Sequence, residues 1–204
     1  MNIYLIRHGQ TAHNRDGLGL GRADVPLTPL GESQAAALGR RFSELKVNRV
    51  FASPLGRAQS TALPIAAAHA LPVETRDALT EMDVGQTEGM TFAAMRQEHA
   101  AFLALWARDD CTSLPMPGGE SLDDVASRLD PFLVELRSLA DERVVVVSHN
   151  FVVKLAVCRL LGLELSRFRS ISVDLASVTT VETRNRRVFV HVSNDCCHLK
   201  SLEH

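Results

Sequence analysis

Two short segments, Ile3-Tyr4-Leu5-Ile6 and Val144-Val145-Val146-Val147, are apolar at every position rather than at every second one. Successive side chains of a strand point to opposite faces, so a strand without a polar face must be covered on both sides. That is the situation of a parallel sheet held between helices. Further short strands are expected at Arg49 to Ala52 and near Pro72 to Thr75. Helical patterns lie between them: Thr28 to Lys46, with Thr28 as cap and Pro29 in the first turn; Leu55 to Ala70; and Ser121 to Ala140, opened by Pro117-Gly118-Gly119. Pro64 predicts a kink in the second of these helices or an early end. The stretch Val178 to Val192 alternates apolar and polar residues around Arg184-Asn185-Arg186 and reads as a hairpin at a sheet edge. Strand alternates with helix, and no repeat or linker interrupts the pattern, so the expectation is one layered α/β domain over residues 1–201.

Composition narrows the partners. With 204 residues, 46% of them hydrophobic, the chain can bury one sizeable core. A formal net charge of −2 provides no global basic field, so neither nucleic acid nor a membrane is expected as partner, and any anion site must be local. The apolar run in MNIYLIRHGQ is too short for a signal peptide, and no stretch approaches the ~20 apolar residues of a membrane span. Cys111, Cys158, Cys196 and Cys197 show no CxxC spacing, which suits a reducing compartment; a cytoplasmic location is expected. Leu202-Glu203-His204 look like the start of an expression tag and carry no weight here. The pattern assigns no oligomeric state.

Ligands of open α/β sheets bind beyond the carboxyl ends of the strands. The residues found there are Arg7-His8-Gly9, Ser53-Pro54 and Ser148-His149, so two strands deliver a histidine to one edge. Arg57 falls in the first turn of the helix after Arg49 to Ala52, beside a helix N-terminus that favours anions. Arg7 adds a second guanidinium. Two planar forks and a helix terminus make a site for a tetrahedral dianion such as phosphate. As a charged residue at that edge, Arg57 is expected to contribute little to the core.

Several chemistries fail on spacing. A cysteine phosphatase needs arginine six positions after its cysteine, where this chain has Pro117, Glu164, Leu202 and Glu203. No GxxxxGK[ST] occurs, and Gly17, Gly19 and Gly21 fit a mobile loop better than a nucleotide loop. A zinc site from His8, His149 and Glu81 would place the cation beside two arginines that repel it, so no metal or other cofactor is expected. Histidine as nucleophile remains. A neutral imidazole nitrogen can attack phosphorus if the other nitrogen is held as a donor, for instance to a nearby backbone carbonyl. Arg7, Arg57 and His149 would stabilise the equatorial oxygens. A protonated carboxyl must serve the leaving group, and Glu81, Asp83 and Glu88 are all candidates, with Glu81 the best placed.

These motifs resemble those of the histidine phosphatase superfamily, in its phosphoglycerate mutase-like branch, over nearly the whole chain. The resemblance rests on Arg7-His8-Gly9-Gln10-Thr11 with Asn14, Asp24 to Thr28 with Gly31, and Ser53 to Ala58 with Thr61-Ala62. It continues through Glu81, Gly85, Glu88 and Gly89, then Pro117 to Ser121, and ends at Val147-Ser148-His149. It implies a three-layer α/β/α sandwich with a mixed, mostly parallel sheet. It also implies phosphorylation of His8, a phosphoryl group held by Arg7, Arg57 and His149, Glu81 as acid and then base, and Asn14 as accessory contact. Gly9 and Asn150 are also expected to bind the phosphate. Leu20 stands where relatives often have a polar residue, and Asn150 where glycine is common, which can crowd the phosphate-facing turn or add a donor. Mutases of this branch are usually longer and often carry Gly-Trp where this chain has Gly21-Arg22, which favours hydrolysis. The expected substrate is a small phosphorylated metabolite, such as α-ribazole phosphate or a similar sugar phosphate. The alternatives are a phosphoglycerate mutase and a regulatory protein that engages phosphohistidine or phosphoserine on a partner.

Overall fold

A computed structural model of the protein describes residues 1–185 and 187–202. Among them six strands form one sheet: β1 (Asn2–Arg7), β2 (Arg49–Ala52), β3 (Val73–Thr75), β4 (Arg143–Ser148), β5 (Val178–Arg184) and β6 (Arg187–Asp195). Their spatial order is β3-β2-β4-β1-β5-β6; the first four are parallel and the last two join antiparallel. The two-sided burial expected of the apolar runs is realised residue by residue. Ile3 and Leu5 of β1, with Val144 and Val146 of β4, enter one core, under α6 (Leu122–Ser138) and α7 (Asn150–Leu161). Tyr4 and Ile6, with Val145 and Val147, enter the other, against α2 (Pro29–Ser43) and α3 (Gly56–Ala67). The result is a three-layer α/β/α sandwich with a mixed, mostly parallel sheet.

Local signals account for most helix boundaries. Thr28 accepts the Gly31 N–H with Pro29 at the first position, and Ser121 forms a capping box with Asp124. α3 ends at Ala67 rather than Ala70, three residues after Pro64, which removes a backbone donor from the final turns. The hairpin matches expectation at Val178 but runs on to Asp195, with Asn185 left-handed at the turn; Arg186 lies outside the described residues. Leu202 ends a 3₁₀ turn and packs on the α2/α3 layer, while Glu203 and His204 lie outside the described residues.

Three helices carried no readable signal. α7 buries Val152, Val153, Leu155, Ala156, Val157, Cys158 and Leu160, an apolar surface spread too far around the helix to leave an amphipathic stripe. α4 (Phe92–Glu98) and α5 (Ala100–Trp106) bury no residue fully, so their apolar faces are equally indistinct. One further helical turn, α1 (Ala12–Arg15), follows β1. No described helix is long and apolar enough to cross a membrane.

Strand register places the chemistry. Arg7 lies opposite Ser148 on the neighbouring strand, and Ala52 opposite Val147. One residue further, the His8 N–H donates to the Ser148 carbonyl at 2.9 Å and the Ser53 N–H to the Val147 carbonyl at 3.1 Å. His8, Ser53 and His149 therefore meet at one edge of the sheet.

Candidate active site

His8 is buried, and its Nδ1 lies 2.7 Å from the Gly9 carbonyl. A carbonyl only accepts, so Nδ1 carries the proton and Nε2 keeps its lone pair. Burial, then the charges of Arg7 and Arg57, hold this imidazole well below its ordinary pKa, against the smaller opposing effect of the Gly9 bond. His8 is thus neutral at neutral pH. Gly9 is needed for close approach: a Cβ there would stand 2.6 Å from the Gly31 carbonyl oxygen. The Gly9 N–H donates to Thr61 Oγ1 at 3.0 Å, so it has no donor left for a phosphoryl oxygen.

Arg57 lies in the first turn of α3, but it is not a surface charge. It is fully buried, and its Nη1 and Nη2 each donate at 2.6 Å, to the carbonyls of Ala23 and Gly21. The small contribution to the core expected of it is corrected accordingly: without Arg57 the Gly21 carbonyl would lose its partner and the Ala23 carbonyl would keep only the Val25 N–H. The loop it grips is also not loose. Gly19 exchanges backbone bonds with Met90 and Gly89, and the Gly21 and Ala23 N–H groups donate to Glu88 at 2.8 and 3.1 Å. A Cβ at Gly19 would meet the Thr87 oxygen at 2.4 Å, so this glycine permits close packing rather than motion.

Arg7 donates from Nη1 to the Val173 carbonyl at 2.8 Å. His149 is buried with Nε2 2.7 Å from Ser53 Oγ, and its ring centroid is 5.1 Å from that of His8. Burial, then the neighbouring His8, Arg57 and Arg7, push its pKa well below the imidazole range, so it too is neutral. Three buried nitrogens at this edge, Arg7 Nε, Arg57 Nε and His149 Nδ1, have no hydrogen-bond partner among the described residues. A buried polar group without a partner costs about 1–3 kcal/mol, so the two guanidinium nitrogens call for an acceptor, and His149 Nδ1 does the same when Nε2 accepts from the Ser53 hydroxyl.

The three candidate acids separate by environment. Glu81 is 3% exposed, with Oε1 accepting from the Met82 N–H and Oε2 from the Phe151 N–H near the start of α7. Burial raises its pKa, opposed by those two bonds and by Arg57 and Arg7. Asp83 is partly exposed; it accepts from the Gly85 N–H and lies 3.7 Å from Arg22. Glu88 commits both oxygens to Gly21 and Ala23. Asn14 spends its Oδ1 on the Thr11 N–H and hydroxyl in a capping box, so only its amide NH₂ can turn outward. Asn150 is the first residue of α7 and partly exposed, and Leu20 is also partly exposed. Among the described residues no group of three or more His, Cys, Asp or Glu is arranged to hold a metal ion.

Other residues around this edge had no role assigned from sequence. Ser53 partners His149, and Thr61 links the Gly9 N–H to the Arg57 carbonyl. Arg128 donates to the carbonyls of Ala78 and Glu81, and Ser148 Oγ to that of Leu79, so the chain leading to Glu81 is tied to α6 and β4. Each is a contact between distant segments of chain, for which local pattern carries no signal.

A family model described as histidine phosphatase superfamily (branch 1) matches residues 3–196. Phosphoserine phosphatase 1 of Hydrogenobacter thermophilus is 33% identical over 200 residues, which cover 98% of this chain and 94% of that protein. The adenosylcobalamin/alpha-ribazole phosphatase of Escherichia coli is 31% identical over 195 residues, covering 95% and 96%. The crystal structure of the alpha-ribazole phosphatase from Shigella flexneri superposes with a TM-score of 0.87 at 30% identity, over 96% of each chain.

Proposed function

Because this chain belongs to the histidine phosphatase superfamily, branch 1, we propose that it hydrolyses the phosphomonoester of a small metabolite through a phosphohistidine on His8. The observation that carries this reading is the cluster of three partnerless buried nitrogens, Arg7 Nε, Arg57 Nε and His149 Nδ1, around a neutral His8. The lone pair on His8 Nε2 attacks phosphorus as the P–O ester bond breaks, and Glu81 gives its proton to the leaving alkoxide. Glu81 then takes a proton from water, which attacks phosphorus and breaks the P–N bond. Inorganic phosphate leaves and His8 returns neutral. The three nitrogens take the equatorial oxygens throughout, where charge grows in the transition state. If Ser53 donates its hydroxyl proton to His149 Nε2, Nδ1 bears the hydrogen that a phosphoryl oxygen needs.

A cavity of about 580 Å³ reaches Arg7 and Asn14 and is lined also by His13, Leu18, Asp174 and Leu175, whereas His8, Arg57, Glu81 and His149 do not line it. That size suits a small metabolite. A panel that includes phosphoserine, α-ribazole phosphate and phosphoglycerates, read by release of inorganic phosphate, tests the substrate class. Activity is expected to survive dialysis against a chelator, since two arginines already supply the positive charge a cation would bring. Activity restored only by zinc or magnesium, or isomerised phosphoglycerate without free phosphate, would overturn this reading.

Arg57→Ala is expected to act on rate and stability together. Loss of one preorganised donor costs roughly 10²- to 10³-fold in rate. The stranded Gly21 carbonyl adds about 1–3 kcal/mol to the loss in stability, while the Ala23 carbonyl keeps the Val25 N–H. Steady-state kinetics beside urea denaturation measures both, and an unchanged rate in folded protein would remove Arg57 from the phosphoryl site.

A further inference from the structure

We propose that Glu88 is a positioning residue for Arg57: through the segment Gly21-Arg22-Ala23 it fixes where the guanidinium stands. This rests on the reading that Arg57 binds the phosphoryl group. Both backbone groups of Gly21 and both of Ala23 are engaged. Their carbonyls accept from Arg57 Nη2 and Nη1 at 2.6 Å each, and their N–H groups donate to Glu88 Oε1 and Oε2 at 2.8 and 3.1 Å. One guanidinium and one carboxylate thus do for this segment what a neighbouring strand does elsewhere, and the segment is the link between them.

The link is stiff. A Cβ on Gly21 would stand 2.7 Å from the Met82 carbonyl oxygen and 2.9 Å from the Val84 nitrogen, so the segment is pressed against the chain that follows Glu81. Beside Glu88, the Gly89 N–H donates to the Gly19 carbonyl at 2.9 Å and the Gly19 N–H to the Met90 carbonyl at 2.8 Å, a clasp that holds Glu88 in register with the loop. The Arg22 side chain reaches the other way, 2.9 Å from Glu120, and ties the segment to the loop before α6. With Nη1 and Nη2 both committed to these carbonyls, the direction of Arg57 Nε follows from where Gly21 and Ala23 stand, and Glu88 sets that. The charge of Glu88 also favours the buried Arg57 cation.

Glu88→Gln keeps the shape but offers one acceptor oxygen and an NH₂ that confronts an N–H. It is expected to reduce kcat/KM about tenfold, part of the roughly 10²-fold or greater loss on removing a preorganised donor outright. The inhibition constant for inorganic phosphate should rise in parallel. The loss should be equal for alkyl and aryl phosphates, because Glu88 transfers no proton. In an Arg57→Ala background, or Arg57→Lys if that variant does not fold, Glu88→Gln should change kcat/KM by no more than about twofold, the signature of two residues acting as one unit. Its effect on the urea midpoint should persist in both backgrounds, which separates positioning from folding. Unchanged kcat/KM in Glu88→Gln, a loss that multiplies with that of Arg57, or a loss that depends on the leaving group would each overturn the proposal. An unchanged rate in Arg57→Ala would instead overturn the phosphoryl-binding reading beneath it.

Discussion

His8→Ala is expected to reduce turnover by roughly 10⁴-fold or more, the scale on which a covalent nucleophile is missed. Quenching the wild type with labelled substrate should leave an acid-labile, alkali-stable adduct on the peptide that contains His8. The expectation follows from proton placement: the Gly9 carbonyl holds hydrogen on Nδ1, so Nε2 attacks without a base to unmask it. Burial and the two arginines keep the ring neutral well below the usual imidazole pKa. The acid limb of kcat/KM, where His8 becomes protonated, should therefore lie well below pH ~6.5. The same displacement makes stability fall as pH drops below ~6.5, because unfolded His8 and His149 take up protons that their buried forms refuse. An active His8→Ala protein, or label on another residue, would falsify the covalent mechanism.

Glu81→Gln is expected to slow formation of the phosphoenzyme from alkyl phosphates by about 10²- to 10⁴-fold, the usual worth of general acid catalysis, and to slow it only mildly from p-nitrophenyl phosphate. A poor alkoxide leaving group needs a proton in the transition state; an activated phenolate departs largely unaided. The second step, in which the same carboxylate activates water, should be slowed with either substrate, so the aryl ester should show a burst followed by slow turnover. Because burial raises the Glu81 pKa, its proton persists to higher pH than that of an exposed glutamate. Activity should fall as pH rises through that value, and with alkyl phosphates Glu81→Gln should lose this basic limb. Equal damage to the first step with both substrates would mark Glu81 as a positioning residue and return the acid role to Asp83.

The sandwich was legible because two-sided burial is written into single strands. Ile3 to Ile6 and Val144 to Val147 have no polar face to turn outward, so they demand covering layers, and the residues after them, His8 and His149, follow to the carboxyl edge. α7 was not legible for the converse reason, since a helix buried around most of its circumference shows no period. At the site, the sequence by itself determined which residue types reach the edge and that His8 needs a donor-fixing neighbour, which the adjacent Gly9 carbonyl supplies. Only the tertiary structure gives Glu81, Asp83 and Glu88, which stand within eight residues of one another, different surroundings. What separates them is whether a carboxyl is desolvated beside Arg7 and Arg57, remains partly in water, or spends both oxygens on a loop some 65 residues earlier in the chain. Arg57 differs from a surface arginine for the same reason: its partners, the carbonyls of Gly21 and Ala23, come from a distant loop. Desolvation and hydrogen-bond satisfaction are properties of what the chain brings together, and local pattern does not encode them.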